Sequence, residues 1–422
     1  MFEIHCLESK TEKATNLFSK FCIDPLQKGQ GITIGIALRR VMLSDLEGLS
    51  IIGVRIFGIN HEFSTVDGIK EDVIDILLNL KQLVIKGENF LSVLNVTFLG
   101  SDDLAKEIGK SSDSRDVESY VYKETNDSGV RILSLVRPVT YPERLKPLTS
   151  SLTLGDFVVL EVNAIDARLG ELLVEFSCSG ISYGVIIPKP NPDQWIDEDQ
   201  LAQLVNQAGL GHWAIKKLDA LSLRELMLEY LSKKEQELKN RLNDPLVIAV
   251  DQFFNVKGVG LVVIGGVRTG LVNKHDTLKI LPSRGNGIVR SLQVMDDDVE
   301  QAKAGDKVGL ALRNADENSL SQGSLIVHSD SETSVEVHNK TELEFVSAAF
   351  ARYSPTVGGV IHVAIDLQFV VGRIDAVEDK KIIVNWESPL MIRKHGSPHL
   401  LICQLDAKPR IIGHSKEYKK ID

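Results

Sequence analysis

Long apolar runs are missing from this 422-residue chain. Charged residues interrupt every extended hydrophobic stretch and the mean hydropathy is -0.00, so no membrane span is expected. The opening MFEIHCLESK contains no continuous apolar core of the kind a secretory leader needs. Cysteine is scarce: the 4 present, Cys6, Cys22, Cys178 and Cys403, stand far apart and form no CxxC pair. That argues against a disulfide framework and a structural zinc site, and for buried thiols in a reducing, cytoplasmic compartment. Basic excess is also lacking. Lys+Arg number 48 against 58 Asp+Glu, a net charge of -10, which counts against non-specific nucleic-acid binding by the whole surface while leaving room for a local basic face.

What is present changes character along the chain, and the length suits roughly two to four domains. Over residues 1–87, TIGIALRRVMLSDLEG repeats apolar residues Ile34, Ala37, Leu38, Val41 and Met42 at helical spacing, predicting a helix that ends near Gly48. LSIIGVRIFGI predicts a strand, and IKEDVIDILLNLKQL a second helix. Residues 92–242 alternate short apolar runs (VLNVTFLG, VRILSLVR, DFVVLEV, YGVIIPK) with helical patterns, the signature of an α/β domain with a parallel sheet. Asp197 is the expected cap of DEDQLAQLV, and Ser222 with Glu225 the expected capping box of SLRELMLEYLSKKEQELKNRL. From Pro245 the texture is all-β, with glycine turns at short intervals. It predicts one barrel or sandwich over 243–328 and another over 341–415, joined by the polar stretch HSDSETSVEVHNKTE as linker or strand edge.

An α/β domain invites a search for phosphate-binding turns. GSDDLAKEIGKSSD follows the first apolar strand, and Gly109-Lys110-Ser111 matches the tail of a Walker A loop, but position 104, where the first glycine belongs, is Leu104. Asp102 and Asp103 put negative charge where a phosphate would lie. Asn273-Lys274-His275-Asp276 spells a guanine-specificity pattern in the wrong domain, and the place after strand VII holds Pro188-Lys189-Pro190-Asn191. His395 and His399 have a metal-ligand spacing with no partner pair nearby, so they predict a surface loop. There is no Gly-x-Ser-x-Gly elbow and no HExxH.

Two resemblances go beyond these patterns. FCIDPLQKGQGITIGIALRRVMLSDLEG and GVRIFGINHEFSTVDGIKEDVIDILLNLKQLVIK make residues 2–86 resemble the N-terminal domain of the RNA polymerase alpha subunit of bacterial and plastid type. The resemblance implies a dimerising helix over 33–46 whose Arg40 and Leu43 meet the large polymerase subunits or a second alpha-like segment. Ile36 replaces the family's usual asparagine. The family's inserted domain, returning strands and last dimerisation helix have no counterpart after Lys86, implying a truncated segment that folds as a marginal mini-domain.

Residues 93–413 resemble three-domain translation GTPases of the elongation factor Tu and selenocysteine-specific factor group. The resemblance rests on DPLVIAVDQFFNVKGVGLVVIGGVRTGLVNKHDTLKIL, SLQVMDDDVEQAKAGDKVGLALRN and LSQGSLIV, then FARYSPTVGGVIHVAIDLQFVVGRI and PRIIGH. The first domain matches in element order and not in chemistry, as in degenerate, non-hydrolysing relatives of that family. The expected fold is therefore multi-domain α/β plus all-β: an alpha-like α+β segment, a P-loop-GTPase-like α/β domain with degenerate motifs, and two β-barrels. A remnant nucleotide site is expected near Gly100, Lys110, Lys189 and Asn191, with no cofactor and neither GTP nor magnesium bound. Ribosome or tRNA contacts are expected from the barrels, through Arg268 and Arg290 among the basic residues there. The leading expectation is a pseudo-GTPase binding protein of translation, ahead of a polymerase alpha-type assembly subunit and, third, an active GTPase. Localisation is cytoplasmic, or the plastid stroma for the alpha-like part.

Overall fold

The computed structural model of the chain describes residues 3–13, 16–45, 54, 56, 59, 61, 63–65, 68–81, 90–114, 117–126, 129–191, 195–351 and 353–421. Two compact units divide it, Met1–Glu88 and Asn89–Asp422. In the first, β1 (Glu3–Lys13) and β2 (Asn16–Asp24) form an antiparallel ribbon, followed by α1 (Gln30–Asp45) and α2 (Val73–Lys81). The second helix starts later than its apolar stripe implies, because the Asp72 carboxylate accepts from the Asp75 amide at 2.8 Å and caps it. The strand expected over 49–59 and the helix end near Gly48 fall largely outside the described residues. Val73 is the one buried side chain among those described in this unit, and Ile32 and Ile36 on α1 are 72% and 64% exposed.

The second unit opens with an α/β domain. Its elements are β3 (Phe90–Leu99), α3 (Asp102–Ile108), β4 (Lys110–Ser114), β5 (Glu118–Asn126), β6 (Gly129–Arg137), α4 (Lys146–Leu154), β7 (Phe157–Val162), α5 (Ala167–Ser179), β8 (Gly184–Pro188), α6 (Glu198–Gln207), β9 (Ala214–Ile215) and α7 (Ala220–Arg241). The sheet order is β4-β5-β6-β3-β7-β8-β9, with β6, β3, β7, β8 and β9 parallel and β4 and β5 antiparallel at one edge. Alternate residues explain why the central strands are apolar throughout: Val158 and Leu160 of β7 join the core under α4, α5 and α6, while Phe157 and Val159 join the one under α3 and α7. Asp197 caps α6 as its position implies, accepting from Asp199 and Gln200. The expected capping box of α7 is corrected: Asp219 accepts from the Ser222 amide at 2.8 Å, so the helix starts at Ala220 and Ser222 lies within its first turn.

Two β modules follow. The first contains β10 (Val247–Val256), β11 (Gly260–Thr269), β12 (Leu271–Asn273), β13 (Thr277–Leu281), β14 (Gly285–Val294), β15 (Asp297–Asp298), β16 (Gln301–Lys303), β17 (Lys307–Arg313) and β18 (Leu325–His328). The order β13-β18-β10-β11-β17-β14 closes on itself through β13–β14 pairing, making a barrel. The second contains β19 (Val335–Glu344), β20 (Val346–Ser347), β21 (Val360–Ile365), β22 (Gln368–Glu378), β23 (Lys381–Arg393), β24 (Leu400–Cys403), β25 (Ile411–Ser415) and β26 (Tyr418–Ile421). Its 8-stranded order β20-β25-β24-β21-β22-β23-β19-β26 has no closing pair among the described residues, so it is barrel-like with open edges.

The polar stretch taken as linker or strand edge contains most of β19, which pairs with both β23 and β26. Between the buried Val335 and Leu343, two of its buried positions hold the polar His338 and Thr341. Thr341 Oγ1 lies 3.2 Å from His338 Nδ1 and accepts from Trp386 Nε1 at 2.9 Å, which hides the apolar alternation a strand normally shows.

Candidate functional site

Parallel strands β6, β3, β7 and β8 end on one rim of their sheet, where open α/β sheets receive ligands. A cavity of about 860 Å³ lies there, with Gly100 and Ser101 after β3, Arg137 closing β6, Glu161 from β7, and Lys189 and Asn191 after β8. Three residues of the sequence-derived set, Gly100, Lys189 and Asn191, thus share one crevice. Lys110 does not. It begins edge strand β4, paired with Val121, because the β3–α3 turn consists of Gly100 and Ser101 alone and α3 takes up the intervening residues. Gly109 therefore terminates a helix, its amide donating to the Ala105 carbonyl at 3.0 Å. A Walker loop places its Gly-Lys-Ser where a helix begins and amides face phosphate. Here the same residues stand at the end where carbonyls point outward.

The short turn is already occupied by a carboxylate of the protein itself. The Ser101 amide donates to Glu161 Oε2. Lys189 Nζ donates to Glu161 Oε1 at 2.8 Å and to Ser101 Oγ at 3.1 Å. The Glu161 side chain is 4% exposed. Glycine at position 100 allows this approach, since a Cβ there would stand 2.9 Å from both Glu161 Oε2 and the Phe98 ring.

More negative charge lines the same turn. Hydrogen bonds from Lys106 and Tyr120 hold the Asp102 carboxyl below the usual range. Tyr120 also donates to Glu118, at 2.9 Å, and burial together with these two carboxylates pushes its phenol up. Arg137 is committed to Glu118 at 2.7 Å and to the Gly100 carbonyl at 2.9 Å. An incoming phosphate would meet carboxylates whose cationic partners are already engaged.

The opposite wall belongs to Tyr141, whose ring carries Arg168 at 5.3 Å and Arg410 at 5.5 Å. Its hydroxyl donates to Glu171 at 2.9 Å, and Arg410, from the loop after β24, clamps Glu171 with two hydrogen bonds of 2.9 and 2.8 Å. Burial opposes ionisation of Glu171, yet the Arg410 and Tyr141 donors hold it below the usual carboxylate range. One turn along α5, Glu175 is fully buried with neither oxygen hydrogen-bonded. Burial, aided by the Glu171 charge, raises it well above that range. Cys178 and Cys403 are buried thiols beside it, and burial pushes Cys178 up to about 12.

The remaining candidates are scattered. Arg268 is largely buried between domains, its Nε 2.9 Å from Asp366, so its charge is answered within the chain and not on an outer face. Arg290 is exposed and donates to the Val259 carbonyl at 2.7 Å, steadying the β10–β11 hairpin. Arg40 is exposed on α1, while the Leu43 side chain lies outside the described residues. His395 faces Asp244 at 3.7 Å and His399 stacks on His414, so the two histidines do not converge. Among the described residues no group of His, Cys, Asp and Glu is arranged to hold a metal ion. Asn273 and Asp276 bond to each other within a barrel turn, the Asn273 amide donating to Asp276 at 2.7 Å. Sequence reasoning missed Glu161, although a lone carboxylate in the otherwise apolar FVVLEV was a visible signal.

Residues 260–327 match the family Elongation factor Tu domain 2. The RNA polymerase alpha subunit of Rhodomonas salina is 60% identical over 87 residues, and that of Emiliania huxleyi 57% over 99. The chain is a hybrid of two resemblances. The polymerase matches cover 21% and 23% of this chain and only 28% and 32% of those subunits. An uncharacterized protein of Methanocaldococcus jannaschii is 27% identical over 317 residues, 75% of this chain and 96% of its own length. Among solved structures, the translation elongation factor SelB of Methanococcus maripaludis superposes with TM-score 0.63 at 19% identity, covering 78% of this chain and 81% of SelB. A bacterial selenocysteine-specific elongation factor gives 0.61 at 19%, covering 78% of this chain and 58% of the factor. The hybrid thus carries the fold of these translation factors in its second unit.

Proposed function

We propose that the second unit is a translation-factor-like pseudo-GTPase, a binding protein that uses its barrels toward ribosome or tRNA and neither needs nor hydrolyses GTP. The observation that carries the reading is Glu161, whose carboxylate takes the amide of the β3–α3 turn that a phosphate would need. Lys189 is tied to the same carboxylate, and Pro188 supplies no side-chain amide to grip a guanine. Gly100, Lys189 and Asn191 then remain as scaffold of a crevice without a nucleotide role, and Lys110 has none. Exposed Arg290 is the basic residue of the barrels that we assign to partner contact.

A second reading, an assembly or dimerisation role for the alpha-like segment through Arg40, is favoured by the exposed Ile32, Ile36 and Leu38 of α1. Co-sedimentation with ribosomes and pull-down of polymerase core, each with and without GTP, separates the readings. The pseudo-GTPase reading expects ribosome or tRNA association that GTP changes by less than about twofold, since a ligand without differential affinity shifts nothing. Association that requires GTP, or none at low salt, contradicts it. Retention of polymerase core that Arg40→Glu abolishes would establish the second role.

A further inference from the structure

Away from the nucleotide-type crevice, the three domains of the second unit meet around a polar cavity of about 130 Å³. Each domain contributes a cation to its wall. Lys234 and Arg241 come from α7, Arg268 from β11 of the first β module, and Arg393 from the end of β23 in the second. The carboxylates present are Asp156, Asp366 and Glu237. Asp156 is matched by Lys234 at 2.6 Å, and Glu237 is exposed to water. Asp366 is shared: one oxygen accepts from Arg268 Nε at 2.9 Å and the other from Arg393 Nε at 2.8 Å. One carboxylate therefore serves two guanidinium groups, and the Arg241 guanidinium has no ion-pair or hydrogen-bond partner among the described residues.

The donor inventory makes the imbalance specific. Arg393, its side chain 4% exposed, gives Nη1 to the carbonyls of His395 and Gly396 at 2.5 and 2.6 Å. Its Nη2, both terminal nitrogens of Arg268 and the whole Arg241 guanidinium have no hydrogen-bond partner among the described residues. These donors line the cavity, where solvent or an ion must answer them, and planar forks converging from three directions match the oxygens of a tetrahedral anion. A volume equal to about four waters accommodates one such ion.

We propose that this junction binds a free tetrahedral oxyanion of the phosphate or sulfate class, which fastens the α/β domain to both β modules. The ligand answers the charge that Asp366 leaves over and bridges arginines from all three domains. Binding holds them in one arrangement by linkage, without any nucleotide in the crevice.

Thermal unfolding of the full chain tests this, with inorganic phosphate titrated to about 10 mM against sodium chloride of matched ionic strength, a range in which general salting effects are small. The expected result is a saturable rise in midpoint of about 2–4 °C with phosphate and none with chloride. Arg241→Gln should abolish the phosphate-dependent increment, whatever its own midpoint, and Arg241→Lys should retain part of it. The site is refuted by an equal increment in Arg241→Gln, by a rise that chloride reproduces, or by no rise in the unaltered chain.

Discussion

Asp366→Ala is expected to lower the unfolding free energy of the second unit by about 3–5 kcal/mol, because it strands two buried guanidinium groups at once. Asp366 is 1% exposed and lies at the tip of the β21–β22 hairpin, with Arg268 and Arg393 on its two oxygens. Backbone geometry adds to the cost. Asp366 and Leu367 both have positive φ, 44° and 65°, the requirement of a two-residue turn of the primed type. Aspartate tolerates that conformation and leucine does so poorly. Leu367 is held there by burial against the first β module and by its amide donating to Thr153 Oγ1 at 3.3 Å. Asp366→Asn keeps an acceptor and the turn preference, so it should cost clearly less than alanine. Urea unfolding measures both variants. A loss below about 1 kcal/mol for alanine, the worth of an exposed ion pair, would show that the junction does not depend on this carboxylate.

The second large effect concerns pH. Burial raises Asp306 to about 7, against weaker help from the Lys303 amide, which donates at 2.8 Å, and from the Lys303 charge. Glu235 and Lys303 share its small pocket, and Asp156, Arg241, Arg268 and Lys307 line the neighbouring one. The folded protein therefore holds a proton that the unfolded chain releases near pH 4. Between about pH 4 and 7 the native state binds more protons than the unfolded state, so the contribution present at low pH is lost as pH rises through 7. The shift corresponds to on the order of 4 kcal/mol. Asp306→Asn is neutral at every pH and keeps the acceptor for Lys303. It should flatten this part of the slope and be the more stable protein at pH 8, while differing little at pH 4. Glu175, also raised by burial, contributes a slope of the same sign that the variant leaves untouched. Parallel pH profiles for Asp306→Asn and the unaltered chain would contradict the assignment.

Much of the architecture was legible because strand and helix periods are strong where burial is two-sided. The runs VLNVTFLG, VRILSLVR, DFVVLEV and YGVIIPK became β3, β6, β7 and β8, and Asp197 caps α6 as its position implied. Where polar side chains satisfy each other inside, the pattern fails. β19 read as a linker or strand edge because the polar His338 and Thr341 take two of its buried positions. α4, KPLTSSLTL, escaped notice because its serines and threonines turn their hydroxyls back onto helix carbonyls, as Ser151 does to Leu148 at 2.8 Å. The crevice was legible in part. Gly100, Lys189 and Asn191 could be placed by element order, but Lys110 could not, since letters alone do not reveal how much chain a turn consumes. Arg268 looked like a surface cation in VRTG, and only the fold brings Asp366 and Arg393 to it from far along the chain.

Calorimetric titration of the full chain with GTP and magnesium tests the turn between β3 and α3 directly. Occupation of that turn by Glu161 predicts no saturable heat, a Kd weaker than about 100 μM, and the same outcome for Glu161→Gln, because the turn still lacks the amides of a phosphate loop. A magnesium-dependent, sub-micromolar affinity for GTP in the unaltered chain would contradict it.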